Sequence, residues 1–325
     1  MDFEQLFNEF KSKRVLIIGD SMIDAYMWGK INRMSPEAPV PVVEINKHEN
    51  RLGGAANVAL NLKALGATPI LCSVIGDGNR GKLFKELMQE EELSTEGILL
   101  TKGRKTTTKT RVIAQLQHQL RVDEEDIHPI QNEDKFLEIV TKLINDMDVV
   151  ILQDYNKGVL THKIIQEVIK ITNKQNIPTI VDPKSQNFYS YKNCTIFKPN
   201  LAEINSGMNI NCNADNMSEL EKASSELKEI LNAKGILLTL AEKGICINTN
   251  QEFKHTPAFK RKIIDVSGAG DTVVSVASLC LASNLSFLNL SILSALAGGI
   301  VCEDVGVVPI NKDKLLSEAK KHIIL

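Results

Sequence analysis

Short, nearly unbroken apolar runs punctuate this chain. Arg14 to Gly19 is the first, ending at Asp20. A run without a polar alternate predicts a strand buried on both faces of a parallel sheet. Asp148 to Asp154, Thr179 to Asp182, Thr195 to Phe197 and Ile236 to Leu240 repeat it, each bounded by polar, Pro or Gly residues. Between them, apolar residues recur at helical spacing: Ile164, Val168 and Ile171 in one segment, Leu220, Ala223, Leu227 and Leu231 in another. Ser218-Glu219-Leu220-Glu221 fits a capping box and puts a helix start near Ser218. Strands alternating with helices predict an α/β fold, a doubly wound and mostly parallel sheet flanked by helices. Acidic and amide residues cluster just after the apolar runs: Asp20 and Asp24, Asp154, Asp182, then Asn200 and Glu203. In an open α/β sheet these would share the ligand-binding rim at the carboxyl ends of the strands.

Two stretches alternate apolar and polar residues instead. Val40 to Ile45 is one. In the other, Arg111 to Asp123, Val112, Ala114, Leu116, Leu120 and Val122 share one parity; Arg111, Gln115, Gln117, Gln119, Arg121 and Asp123 take the opposite one. Half-exposed strands of this kind predict a small antiparallel sheet beside the main one, from about residues 25–52 and 105–123, placed as a lid within one domain spanning 1–325. Apolar residues on its outer face would invite a homodimer.

Composition narrows the partners. The 325 residues carry a formal net charge of −2 with both signs interspersed. Without a basic stripe, nucleic acid and anionic membranes are poor partners, which leaves small molecules. No apolar run approaches the roughly 18–20 residues of a membrane span, and Met1 to Arg14 lacks a signal-peptide core, so a cytoplasmic protein is expected. The six cysteines are scattered with no Cys-x-x-Cys pair, and read as reduced thiols, mostly buried.

The chemistry concentrates in Asp265-Val266-Ser267-Gly268-Ala269-Gly270-Asp271-Thr272. Ile263, Ile264 and Val266 read as the end of a strand and Val273 to Ala282 as an apolar helix, so the glycines occupy a turn at a helix mouth. There the unpaired N–H groups and the helix dipole favour a phosphate. Asp271 would repel that phosphate unless it holds the attacking hydroxyl and accepts its proton, as a kinase base does. The plain alternative is an Asp capping its own helix. A helix N-terminus is expected to lower the Asp271 pKa, which a loose phosphoryl-transfer transition state tolerates because the proton leaves late. The lid would exclude water, which competes for the phosphoryl group.

Two glycine-rich segments are decoys. Gly76 to Leu83 nearly spells a P-loop, but Leu83 stands where a magnesium-binding hydroxyl belongs, leaving a strand-to-helix turn. Gly268-Ala269-Gly270 fails as a dinucleotide fingerprint because Val273 replaces the third glycine.

Gly53-Gly54-Ala55-Ala56-Asn57-Val58-Ala59 and Asp265 to Thr272 together resemble the two signatures of the ribokinase-like, PfkB-type carbohydrate kinases. Met34-Ser35-Pro36-Glu37-Ala38-Pro39-Val40-Pro41-Val42 is similar to a run in the D-glycero-β-D-manno-heptose-7-phosphate kinases, the first domain of bifunctional heptose enzymes. Tyr155-Asn156-Lys157-Gly158, Asp182-Pro183-Lys184 and Asn200-Leu201-Ala202-Glu203 fit the same group. The resemblance implies that Asp271 is the base and that Gly268, Ala269 and Gly270 form the anion hole. It implies ATP with Mg2+ at Asn200, Leu201, Ala202 and Glu203, with Glu203 reaching the metal through water. Asp24, Gly54 and Asn57 carry over as sugar-binding positions, and Arg111, Lys157 and Lys184 are candidates for the sugar's own phosphate. The implied reaction moves the ATP γ-phosphate to the anomeric hydroxyl of heptose 7-phosphate; the alternatives are a kinase of the same fold acting on another sugar or sugar phosphate, and a non-catalytic nucleotide- or sugar-sensing module. No His-x-Gly-His element follows, so a separate adenylyltransferase is expected to act downstream. The chain departs from the family at Ser267, where Thr is usual, and at Cys302 to Val307, beside the adenine side and an expected monovalent-cation position.

Overall fold

The first apolar run forms β1 (Arg14–Gly19), and its side chains divide between two cores. Val15 and Ile17 pack on one face of the sheet, Leu16 and Ile18 on the other. Each such fully buried side chain contributes roughly 1.5–3 kcal/mol of transfer free energy, which is why no polar residue interrupts the run. The computed structural model describes residues 2–115 and 117–322.

The remaining strands are β2 (Ser21–Met34), β3 (Pro41–Gly54), β4 (Thr68–Gly76), β5 (Ile98–Thr101), β6 (Thr108–Ala114), β7 (Gln117–Glu124), β8 (Val149–Gln153), β9 (Thr179–Asp182), β10 (Ile196–Phe197), β11 (Gly235–Thr239), β12 (Ile245–Thr249) and β13 (Phe253–Thr256). The large sheet runs β13-β12-β11-β10-β9-β8-β1-β4-β5, with β11 to β5 parallel and β12 and β13 antiparallel at one edge. The helices are α1 (Phe3–Glu9), α2 (Ala55–Ala64), α3 (Asn79–Glu90), α4 (Glu133–Leu143), α5 (His162–Gln175), α6 (Leu201–Met208), α7 (Met217–Leu231), α8 (Ala269–Ala282), α9 (Phe287–Val301) and α10 (Lys312–His322). Helices α2, α8 and α9 fill one core; α4, α5 and α7 fill the other.

The smaller sheet runs β3-β2-β6-β7. It consists of two antiparallel pairs, β2 with β3 and β6 with β7, joined by a parallel pairing of β2 with β6. Arg111 to Asp123 is a hairpin, not one strand: it turns after Ala114, with Gln115 at φ 53°. Leu116, placed by its parity among the apolar set, lies outside the described residues. Val40 to Ile45 falls mostly in the first half of the long β3.

Two further expectations need correction. Ile263, Ile264 and Val266 form no strand; they lie in an irregular segment and are 54%, 53% and 69% exposed. Their branched side chains suggested β structure, but no strand beside them offers a ladder of hydrogen bonds. Helix α7 begins at Met217 and is capped by Asn216, whose side chain accepts from the Glu219 N–H, so Ser218 is not the cap. Asn216 supplies the same short side-chain oxygen two residues earlier. The near-P-loop stretch is the turn from β4 into α3.

Candidate active site

Gly268 takes φ 81° and ψ −1° at the start of α8, in the left-handed region. A Cβ there would stand 3.1 Å from Asn57 Nδ2 and 3.3 Å from a Val307 methyl, so angle and space both call for glycine. Among the described residues, the N–H groups of Gly268 and Gly270 have no acceptor, whereas the Ala269 N–H is spent on the Val266 carbonyl at 3.3 Å. Asp271 follows in the first helical turn.

The Asp271 carboxylate does not cap its helix. It accepts from three side chains: Asn57 Nδ2 at 2.8 Å on Oδ2, and the Tyr155 hydroxyl at 2.5 Å and Gln153 Nε2 at 3.2 Å on Oδ1. Asp271 is only 6% exposed. Burial pushes its pKa up to about 6, against the pull of the Asn57 and Tyr155 hydrogen bonds, with Asp182 adding to the rise and Lys198 opposing it. The expectation of a lowered pKa is thereby reversed, because desolvation outweighs the helix dipole. The group remains ionised at neutral pH while becoming a better base. Tyr155 is pushed well above its ordinary range, by burial first and then by the charge of Asp271, so its hydroxyl stays a donor.

Beside this carboxylate runs a second charged pair. Lys198 Nζ lies 3.0 Å from Asp182 Oδ1, and Gln153 Nε2 also donates to Asp182 Oδ2 at 3.0 Å. A Cβ on Gly270 would come 3.9 Å from Asp182 and 4.0 Å from the Lys198 ammonium. The glycine turn, Lys198 and Asp271 therefore share one end of a cavity of about 950 Å³. Its walls also include apolar side chains, Ile263, Val266 and Ala295 among them.

Asn200, Leu201, Ala202 and Glu203 line the same cavity. Asn200 and Glu203 form a reciprocal capping box at the start of α6: the Asn200 side chain accepts from the Glu203 N–H at 2.8 Å, and Glu203 Oε2 accepts from the Asn200 N–H at 2.9 Å. Glu203 Oε1 pairs with Lys184. Lys184 thus lines the cavity beside Glu203, while Asp24, Arg111 and Lys157 do not line it.

Those three belong to the lid side. Arg111 Nη1 lies 2.5 Å from Asp24 Oδ1, and Lys157 Nζ lies 2.8 Å from Glu125 Oε1. Gly54 closes the lid strand β3 at φ 60°, and a Cβ there would meet the Asp20 carbonyl at 2.5 Å. Asn57, three residues on in α2, reaches the Asp271 carboxylate. The buried Asp20 carboxylate holds the loop that carries Tyr155, accepting the N–H groups of Tyr155, Lys157 and Val159 at 2.9–3.0 Å. Its own pKa is raised to about 6, chiefly by burial and then by Asp154.

A family model described as pfkB family carbohydrate kinase matches residues 12–314, nearly the whole chain. The chain belongs to the pfkB family. As a pfkB carbohydrate kinase it is a phosphotransferase with an alcohol group as acceptor. It is 40% identical over 318 residues to the bifunctional protein HldE of Desulfatibacillum aliphaticivorans, covering 97% of this chain and 65% of that protein. With the bifunctional protein HldE of Campylobacter jejuni it shares 39% identity over 305 residues, 94% of this chain and 64% of the relative. The chain therefore spans just under two thirds of these relatives' length. Among solved structures it is similar to Escherichia coli phosphofructokinase-2 in complex with fructose-6-phosphate (TM-score 0.76, 18% identity, 95% of this chain and 99% of that one). It is also similar to Arabidopsis thaliana ribokinase complexed with ribose and ATP (TM-score 0.73, 18% identity, 94% and 98%). The fold of this pfkB kinase is thus the ribokinase-like one. No helix among the described residues is long and apolar enough to cross a membrane.

Three residues of this candidate site were not expected from the sequence as functional groups: Gln153, Tyr155 and Lys198. Each sits at or just past the end of an apolar run, at the rim where ligands bind in open α/β sheets. Lys198, a cation directly after Thr195 to Phe197 and before Pro199, was the signal to follow.

Proposed function

We propose that this chain transfers the γ-phosphoryl group of ATP to the anomeric hydroxyl of D-glycero-D-manno-heptose 7-phosphate, giving the 1,7-bisphosphate. The observation that carries the kinase chemistry is the buried Asp271 carboxylate at the charged end of the cavity, beside the open N–H groups of Gly268 and Gly270. The choice of heptose rests on the Met34 to Val42 run together with about 40% identity to the HldE proteins.

The cavity suits a nucleotide triphosphate. Its apolar walls can take a base, and Lys198 with the glycine turn can take phosphates. Mg2+ usually keeps several waters and binds through one or two carboxylates plus substrate phosphates. Glu203 fits that pattern through water, since both its oxygens already have partners, and no cluster of three or more metal-binding side chains occurs among the described residues. When bound, the metal would neutralise phosphate charge. Asp271 would hold the acceptor hydroxyl and take its proton late, while Asn57 and Tyr155 fix the carboxylate's orientation. A monovalent cation near Cys302 to Val307 would be read out as dependence on potassium over sodium. We assign the lid's apolar outer face to a homodimer, and the next step on the sugar to a separate adenylyltransferase activity.

A coupled assay for ADP formation with heptose 7-phosphate, fructose 6-phosphate and ribose tests this directly. Heptose 7-phosphate should be preferred; a clear preference for either other sugar would remove the substrate assignment. In the same assay Asp271→Asn should cut turnover by about 10²-fold or more with ATP affinity near normal. Wild-type turnover in that variant would remove the base.

A further inference from the structure

The lid sheet carries two charged rows on the face that meets Tyr155. Register pairs Arg51, Asp24, Lys109 and Asp123 across β3, β2, β6 and β7, and two residues further along each strand come Glu49, Tyr26, Arg111 and Arg121. Residues two apart on a strand share a face, so these form one surface. Nearly every cation around it has a carboxylate: Arg51 with Glu49, Arg111 with Asp24, Arg121 with Asp123, and Lys157 of the adjoining loop with Glu125. Lys109 is the exception, forming no ion pair or side-chain hydrogen bond among the described residues. Its ammonium lies 5.9 Å from the centroid of the Tyr155 ring. Lys184 stands at the same distance from that ring, but it is neutralised by Glu203.

We propose that Lys109 is the specificity residue that binds the phosphate monoester of the acceptor sugar, a role the sequence reading had offered to Arg111, Lys157 and Lys184. Tyr155 links the two groups: its hydroxyl lies 2.5 Å from Asp271 Oδ1 and its ring centroid 5.9 Å from the Lys109 ammonium, so base and ammonium flank one side chain. A sugar phosphate likewise carries its reacting hydroxyl and its phosphate at opposite ends of one small molecule. Lys109 is half-buried; burial first, and then the charge of Lys157, holds its pKa below the ordinary value, against the opposing pull of its cross-strand neighbours Asp24 and Asp123. A dianion arriving there relieves both effects, and Arg111 and Lys157 sit close by while remaining committed to their own carboxylates.

This inference rests on the reading of the acceptor as a sugar phosphate, and the test separates the two. Lys109→Met and Lys109→Arg are compared with wild type on heptose 7-phosphate and on the same heptose without its phosphate, with binding of an ATP analogue as the control for folding. Losing one charge-assisted contact should lower kcat/KM for the phosphorylated sugar about 10- to 100-fold in Lys109→Met, mainly through KM. The phosphate-free sugar and the ATP analogue should be affected by less than about 3-fold, within the spread of surface substitutions, and Lys109→Arg should recover part of the loss. An equal loss on both sugars, or none on either, overturns the role of Lys109 while leaving the kinase reading intact. A wild type that ignores every phosphorylated acceptor overturns the substrate reading instead.

Discussion

At the scale of single residues, the site turns on how Asp271 is dehydrated and held. Its pKa near 6 arises from burial, and the donors Asn57 and Tyr155 keep it from rising further. With Asp271 as the proposed base, which must be ionised to take a proton, kcat/KM should fall as pH drops through about 6. Tyr155→Phe removes a donor at 2.5 Å that stabilises the charged form. The acid limb of the pH profile should therefore move to higher pH in that variant, with turnover at its plateau reduced about 10-fold for a less well oriented base. A limb that stays in place or moves down would show that Tyr155 does not tune the carboxylate. Asp271 was legible in the sequence because a carboxylate beside two glycines at a helix mouth is chemically odd. Tyr155 and Lys198 were not, since their importance comes from groups 116 residues away in one case and on a neighbouring strand in the other.

At the scale of elements, the mouth of α8 is shaped by its N-cap glycine. Gly268→Ala forces a side chain into the left-handed region, at roughly 1–2 kcal/mol, and presses a methyl towards Asn57 Nδ2, 3.1 Å away. Denaturant unfolding should show a loss of that size, with turnover falling further because Asn57 donates to the Asp271 carboxylate. Unchanged turnover alongside the stability loss would mean that Asn57 does not orient Asp271. The strands of the parallel sheet were legible because burial on both faces demands unbroken apolar runs. Ile263 to Val266 was misread for the same reason reversed: apolar residues there line a cavity and stay exposed, with no pairing strand. The Arg111 to Asp123 segment kept its alternation through a hairpin, so parity alone could not reveal the turn.

At the scale of the whole molecule, the lid has two unlike faces. Its charged face meets Tyr155, while the opposite parity leaves Leu120 59% and Val122 47% exposed. Exposed apolar residues on a sheet suit a second copy of the chain. Leu120→Glu combined with Val122→Glu should convert a dimer to a 36.0 kDa monomer in sedimentation, without loss of ATP-analogue binding. A wild type that already sediments as a monomer, or a variant that still dimerises, would exclude the lid as the interface.

The order of apolar runs, the glycine turn with its aspartate and the alternation in the lid were written in the sequence, because each follows from local geometry: period, φ and the dipole of one helix. What the tertiary structure alone decided is which charges meet. Asp271 acquires its raised pKa only when α2, β8 and the Tyr155 loop close over it. Lys109 is left without an ion pair among the described residues only when the lid register hands Asp24 to Arg111 and Asp123 to Arg121. Coulombic partners and desolvation depend on distance in space, and residues far apart in the chain reach that distance only through the packing of the whole fold.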